Sequence, residues 1–223
     1  MQLKVKDLIV DTPSLFTQER LNIQLEPGEC LVVQGEMGCG KTSLFNTLVG
    51  IAKPYAGQVL FNNISFELLN ELDVIQLRKS QGVIFDRPAL LSNQTVEQNL
   101  LLCADRFYQD DSHLKHAEQL SFLINEFNVS HLLTLRPHQL SQSQSSIIAI
   151  IRALFHQPSI LLWDAALSGL DNLSHERMLK KLFDLKQEGV SLVLFSDHTR
   201  EMHHLADQVL RLKKNEVPGH EAI

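Results

Sequence analysis

The chain has 223 residues, a net charge of −6, and 44% apolar and 21% charged residues, enough to bury the core of one large or two small domains. Mild acidity argues against a general binder of nucleic acid or anionic membrane, which would show a basic excess. The three cysteines, Cys30, Cys39 and Cys103, are odd in number and widely spaced, which excludes a disulfide framework and fits a reducing cytosol.

Leu21, Ile23 and Leu25 alternate with polar residues, the period-2 pattern of a half-buried strand. Pro27-Gly28 marks a turn, and Cys30–Gln34 follows as an apolar run suited to a strand covered on both faces. Lys41–Gly50 predicts a helix, with Leu44, Leu48 and Ile51 at helical spacing. Val59–Phe61 and Gly82–Phe85 are further strands. From Asp86 to His156 the pattern turns helical, with one apolar face formed by His113, Ala117, Leu120, Ile124 and Phe127 and a very apolar helix at Ile147–Phe155. Strands return at Ile160–Trp163, where Trp163 is expected in the core, and at Leu192–Phe195. Between them a helix carries Leu173, Met178, Leu179, Leu182 and Phe183 and stops before Gly189. Val209–Leu212 is a last strand, and the final Pro-Gly-His-Glu-Ala-Ile is expected to fray. Short apolar strands separated by helices predict a parallel α/β sheet. No run approaches the ~20 apolar residues of a membrane span, and the first residues lack the apolar stretch of a signal peptide.

Two segments carry chemistry. Gly35-Glu36-Met37-Gly38-Cys39-Gly40-Lys41-Thr42 matches G-x-x-x-x-G-K-S/T between a predicted strand and a predicted helix. In such a loop glycines let successive amides converge on phosphate oxygens, and the helix that follows offers its positive end. Lys41 would reach the outer phosphates and the Thr42 hydroxyl a Mg²⁺ ion; Ser43 completes the first turn. The hydrophobic strand Ile160–Trp163 ends in Asp164, suited to holding the same ion beside Thr42.

With these motifs the sequence resembles, over essentially its whole length, the ATP-binding cassette subunits of ABC transporters. Pro27-Gly28-Glu29 precedes the loop as in that family. Leu140-Ser141 opens and Gln144 closes a counterpart of the Leu-Ser-Gly-Gly-Gln signature, followed by Arg152-Ala153-Leu154. Ser168-Gly169-Leu170-Asp171 fits the loop after the Mg²⁺ aspartate, and Ala206-Asp207-Gln208-Val209 the family's last strand. The resemblance implies a P-loop NTPase fold of ABC-cassette type, a mainly parallel sheet with an antiparallel β edge and an inserted helical subdomain. Residues 1–85 and 157–223 would form the core lobe and 86–156 the helical one. It also implies ATP and Mg²⁺ as cofactors, and as partners an integral membrane permease and a second cassette, like or unlike, with no nucleic acid.

The departures are at positions that handle the γ-phosphate and water. The family's catalytic glutamate falls on Ala165, so the contribution of a positioned base, about 10²–10⁴ in rate, is missing. The glutamine that joins the Mg²⁺ site falls on Asp86, which keeps an oxygen ligand but adds charge. The switch histidine falls on Asp197, with His198 one residue on as the alternative. Gln142 and Ser143 stand where the signature has two glycines. The adenine-stacking aromatic falls on Asp11, with Phe16 as a second choice. The expectation is therefore a cytoplasmic cassette on the inner face of a bacterial inner membrane, of the compact kind that serves lipid, lipoprotein or cell-division complexes, binding ATP·Mg²⁺ with impaired or absent hydrolysis. An active ATPase using Asp86, Asp197 or His198, and a non-transport assembly cassette, stay open. So does the apolar segment Pro88–Leu102, as a groove for a permease helix or as core packing. The histidine groupings His203/His204, His113/His116 and His131/His138 lack a zinc pattern. Cys39, beside Lys41 at a helix end, is a candidate for alkylation, and Met37 has no evident role.

Overall fold

A computed structural model describes residues 1–10, 20–107, 113–196, 202 and 204–213, the backbone alone at 103–107 and 113–116. The strands are β1 (Leu3–Ile9), β2 (Leu21–Leu25), β3 (Cys30–Gly35), β4 (Ala56–Phe61), β5 (Ile64–Ser65), β6 (Gln81–Ile84), β7 (Ile160–Trp163), β8 (Ser191–Phe195) and β9 (Gln208–Leu212). The helices are α1 (Lys41–Leu48), α2 (Glu71–Ser80), α3 (Val96–Phe107), α4 (His113–Glu126), α5 (Gln142–Leu154) and α6 (Asn172–Gln187).

The strands form two sheets. β6-β7-β8-β3-β9 are all parallel, with Cys30 opposite Leu192, Leu31 opposite Gln208 and Ile84 opposite Trp163. The antiparallel strands that the resemblance implies are present beside the parallel ones. They make a separate four-stranded sheet, β2-β1-β4-β5, because both edges of β1 are taken by β2 and β4.

The parallel sheet has a core on each face, which is why β3, β7 and β8 carry continuous apolar runs. Cys30, Val32, Leu161, Trp163, Leu192 and Leu194 face the cluster shared with α3, α4, α5 and α6. Leu31, Val33, Ile160, Leu162, Val193 and Phe195 face the cluster shared with α1 and the antiparallel sheet. Trp163 is buried as expected. Burial pushes the Cys30 thiol up to about 12, an unreactive core group.

Two helical faces differ from expectation. On α4 the buried residues are Leu120 and Leu123, continued by Phe127, while Ala117 is exposed. On α6 they are Met178, Leu182 and Leu185, while Leu173 and Phe183 face solvent. Ile124 on α4 and Leu179 on α6 pack against the core as expected, so each apolar face is narrower than the spacing predicts. The terminal segment expected to fray lies outside the described residues.

On α3 the polar side chain of Asn99 is fully buried. Asn99 accepts from the Leu91 amide at 2.7 Å and reaches the carbonyls of Leu91 at 3.1 Å and Thr95 at 2.9 Å, fixing the turn that enters α3. Thr95 and Gln98 cap the same turn reciprocally, and the Leu133 and Leu135 carbonyls accept the first α3 amides. Asn99→Ala is expected to cost about 2–3 kcal/mol in urea denaturation, since it leaves several buried groups unpaired at once. A cost within about 0.5 kcal/mol of zero would show that the turn holds without it.

Candidate functional site

The site forms at the carboxyl ends of the parallel strands, where α/β sheets open their ligand crevices. β3 delivers the loop 35–40 and α1 begins at Lys41. Gly40, left-handed at φ 96°, is the N-cap of α1 and supplies no side-chain acceptor, so the first-turn amides are left for an incoming anion. Gly38 has φ 81°, and a Cβ built there would meet nothing within 4 Å, so the loop opens to a free space. These are the features a phosphate cradle needs. Lys41 Nζ donates to the carbonyls of Gly35 at 2.7 Å and Glu36 at 3.0 Å, bracing the loop from inside. Glu36, Met37 and Gly38 form its exposed tip, with Met37 87% exposed. Cys39 is only 3% exposed, its sulfur packed against Gly35, so the accessibility that alkylation needs is absent in this state. Ser43 sits in the first turn of α1, its carbonyl accepting from the Thr47 hydroxyl at 2.9 Å.

The Thr42 hydroxyl stands beside the Asp164 carboxylate across the gap between α1 and β7. Asp164 is buried and also accepts from the Ala165 amide at 3.0 Å. A hydroxyl and a carboxylate side by side are the hard oxygen donors Mg²⁺ takes, so this pair fits that ion. Asp86 follows β6, the strand paired with β7, and is exposed. Burial pushes the Asp164 carboxyl up from the usual range, and Asp86 adds repulsion; the Thr42 and Ala165 hydrogen bonds and the Lys41 charge oppose the rise.

That direction carries a testable sign. A carboxyl raised in the folded chain gives stability that is full below its unfolded pKa and lost as pH rises through the folded value. At neutral pH Asp164 therefore weakens the nucleotide-free chain. Asp164→Asn is expected to raise Tm near pH 7 and to converge with the parent near about pH 3, where both side chains are uncharged. A lower Tm at pH 7 would show that its hydrogen bonds outweigh the burial.

After Asp164 the backbone turns left-handed at Ala165 (φ 51°) and Leu167 (φ 67°), a conformation that L residues pay for. The Ala166 amide donates to the Phe195 carbonyl at 2.7 Å, binding this loop to β8. Ala165 is partly exposed and carries no polar side-chain atom.

The signature segment opens α5. Ser141 is its N-cap, accepting from the Gln144 amide at 3.1 Å, while Gln144 accepts from the Ser141 amide at 2.8 Å. Ser143 is joined to Asp171, the N-cap of α6, and Gln142 lies against Gly169. Further along α5, Arg152 donates to the Ala89 carbonyl at 2.7 Å, holding the loop after Asp86. Asp207 accepts from the Cys30 amide at 2.8 Å and pairs with Lys186, tying the start of β3 to α6.

So the structure brings Lys41, Thr42, Asp164, Asp86 and Ala165 to one end of the sheet and places Ser141, Gln142, Ser143 and Gln144 at α5. Asp197, His198, Asp11 and Phe16 lie outside the described residues. In Pro88–Leu102 both readings find residues: Val96 and Leu100 are fully buried, while Leu91, Leu101 and Leu102 are more than a third exposed. Sequence reasoning missed Asn99, for which the signal was an Asn set between Val96 and Leu100. It also missed the Ser143–Asp171 contact, for which the sequence held no signal.

No helix among the described residues is long and apolar enough to cross a membrane. Nor do the described residues contain a group of three or more His, Cys, Asp or Glu that could hold a metal ion.

Known proteins bear on this geometry. The sequence model of the ABC transporter family matches residues 18–168. The chain is 29% identical over 96% of its length to the macrolide export ATP-binding/permease protein MacB of Vibrio parahaemolyticus, covering 33% of that protein. It is 30% identical over 88% of its length to the methionine import ATP-binding protein MetN 1 of Acinetobacter baylyi, covering 55% of it. The chain thus spans about a third of one relative and about half of the other. Among solved structures, the dimeric bacterial ABC transporter cassette MJ0796 superposes with TM-score 0.83 at 23% identity, over 95% of this chain and 94% of that one. The family model runs through the P-loop, the signature helix and the Asp164 strand, and the fold agrees: the chain belongs to the ABC transporter family, on its ATP-binding side.

Proposed function

We propose that this chain is the cytoplasmic ATP-binding subunit of an ABC-type membrane transport complex, holding ATP·Mg²⁺ with hydrolysis impaired or absent. The single observation behind the second half is Ala165: the residue that follows the Mg²⁺-holding aspartate has no group to orient or deprotonate water. The binding half is supported by the open Gly38 loop, the uncapped start of α1, and the Thr42–Asp164 pair.

In this reading the loop amides and Lys41 bind the phosphates, and Thr42 and Asp164 hold Mg²⁺, with Asp86 as a further oxygen near it. The bound ion would neutralise phosphate charge and orient the chain of phosphates. Lys41 exchanges its two loop carbonyls for phosphate oxygens, so the loop trades an internal brace for an external one. Asp86 brings a second negative charge to a region already crowded by phosphate, a further brake on hydrolysis. The partners that fit are an integral membrane permease and a second cassette. The names of MacB and MetN join an exporter and an importer, so they favour neither direction.

Steady-state turnover tests the proposal. The chain and Lys41→Ala should release inorganic phosphate from ATP at the same background rate. Turnover that depends on Lys41 would establish instead the active reading, with Asp86 beside Asp164 as the substitute group to examine next.

A further inference from the structure

The two carboxylates of the crevice stand on separate loops. The β6–β7 ladder ends at Ile84 and Trp163, and the Asp164 amide donates to the Ile84 carbonyl at 2.9 Å; Asp86 lies beyond it. Helix α5 holds the loops that follow both. Near its C-terminal end it is seated on β6, the strand that leads to Asp86. A Cβ built on Gly82 would lie 2.9 Å from the Ala153 carbonyl oxygen, so a glycine is what lets the helix backbone come this close. Just past the helix, His156 Nε2 lies 3.0 Å from the Gln81 carbonyl oxygen. Arg152, beside Ala153, donates to the Ala89 carbonyl at 2.7 Å, in the loop that follows Asp86.

At its N-terminal end α5 holds the loop after Asp164. The Ser143 hydroxyl donates to the Asp171 carboxylate and accepts from the Asp171 amide at 3.2 Å. Gln142 lies over Gly169, where an added Cβ would stand 2.8 Å from the Gln142 amide nitrogen. The loop between needs such restraint. Ala165, Leu167 and Gly169 are left-handed at φ 51°, 67° and 73°. L residues keep that conformation only where their surroundings impose it. The Ala166 amide on the Phe195 carbonyl at 2.7 Å fixes the start of the loop, and Ser143 fixes its end. The Ser143 hydroxyl, then the amide and hydroxyl of Ser174, hold the Asp171 carboxyl down at about 2, so the Ser143 tie is charge-assisted at neutral pH. Glycines at 142 and 143, as in Leu-Ser-Gly-Gly-Gln, could make neither contact. Ile147, Ile148, Ile150 and Ile151 pack α5 into the core, so its two holds move as one.

We infer that the side chains at the signature's two glycine positions act within their own chain: Gln142 and Ser143, with Arg152 on the same helix, set where Asp164 and Asp86 stand relative to each other and so are positioning residues for the Mg²⁺ ion. This rests on the nucleotide reading above and names what the altered signature does for that site. None of the three touches nucleotide or metal; each acts through a loop whose carboxylate does.

The test is titration of the full chain with ATP in Mg²⁺ and, separately, with ATP in EDTA. Mg²⁺ is expected to tighten binding to the parent. Ser143→Ala and Arg152→Met should each weaken ATP·Mg²⁺ by about threefold or more, as follows from one lost hydrogen bond, while ATP in EDTA binds within about twofold of the parent. Ser143→Thr and Arg152→Lys keep a donor and should restore most of the Mg²⁺-dependent gain. An equal fall with and without Mg²⁺ would show a general structural role and overturn the inference. So would unchanged ATP·Mg²⁺ binding in both variants, or a parent for which Mg²⁺ adds nothing. If the parent binds ATP in neither condition, the nucleotide reading fails, and hydrogen exchange of the nucleotide-free chain decides the positioning. Ser143→Ala should then speed exchange of the Ala166 and Ser168 amides, and Arg152→Met that of the Leu90 amide, by at least about tenfold, with the β6–β7 ladder amides at parent rates. Parent-like exchange in both loops would refute it.

Discussion

Phe45→Ala should cost the chain about 3–5 kcal/mol, the largest loss expected from any single truncation near the site. Phe45 is fully buried on α1, directly behind the phosphate loop. Its ring meets Phe85 edge-on at 5.5 Å and Phe195 edge-on at 5.6 Å. Each such pair adds about 0.5–1.5 kcal/mol to the burial itself. Phe85 stands immediately before Asp86, and Phe195 closes β8 and accepts the Ala166 amide. One ring therefore locks three segments that converge on the nucleotide crevice. Alanine would leave a cavity bounded by two rigid rings that cannot collapse into it. The measurement is the urea midpoint at an unchanged denaturant slope. A loss below about 1 kcal/mol would mean that the crevice repacks freely, against what dense interiors allow.

Lys41→Ala should abolish nucleotide-dependent stabilisation. A ligand at a hundred times its Kd stabilises the folded chain by about 2.7 kcal/mol, and the parent should show this in ATP·Mg²⁺ as a rise in Tm. The same substitution removes the internal hydrogen bonds to the Gly35 and Glu36 carbonyls, which lie at a loop edge. Losing them should lower nucleotide-free stability by less than about 1 kcal/mol, so the two effects separate cleanly. Lys41→Arg is not a conservative control, because a planar fork does not reproduce a point charge inside a tight loop. An undiminished Tm rise in Lys41→Ala would place ATP elsewhere on the chain.

Much of this fold was legible in the sequence because the parallel sheet is covered on both faces. β3, β7 and β8 announce themselves as apolar runs, and the glycines of the loop between β3 and α1 punctuate them. β1 was not read as a strand because its alternation breaks at a bulge: Asp7 is left-handed at φ 47° and the pairing register shifts around it. α2 escaped because it buries only Leu77, so no apolar period exists to find. Its ends were written plainly enough, in Asn70 capping Asp73 and in Arg78 and Lys79 at the last turn. The site followed the same division. Lys41, Thr42 and Asp164 stand in fixed relation to strand ends and could be placed by spacing. Asn99 acts through backbone groups that carry no identity of their own. Ser143 and Asp171 are joined by a turn of the chain that no local pattern encodes.

The pairing of β3 also sets an order of events during synthesis. Its neighbours on either side are β8 and β9: Cys30 pairs with Leu192 and Leu31 with Gln208. The strand that ends in the phosphate loop is made early but has no hydrogen-bonding partner until β8 and β9, more than 150 residues later, have left the ribosome. The α4–α5 segment is built of local contacts and capped turns, and it can form well before that. The nucleotide crevice is therefore among the last parts to close, and a chain stopped short of Ser191 exposes both edges of the apolar strand β3.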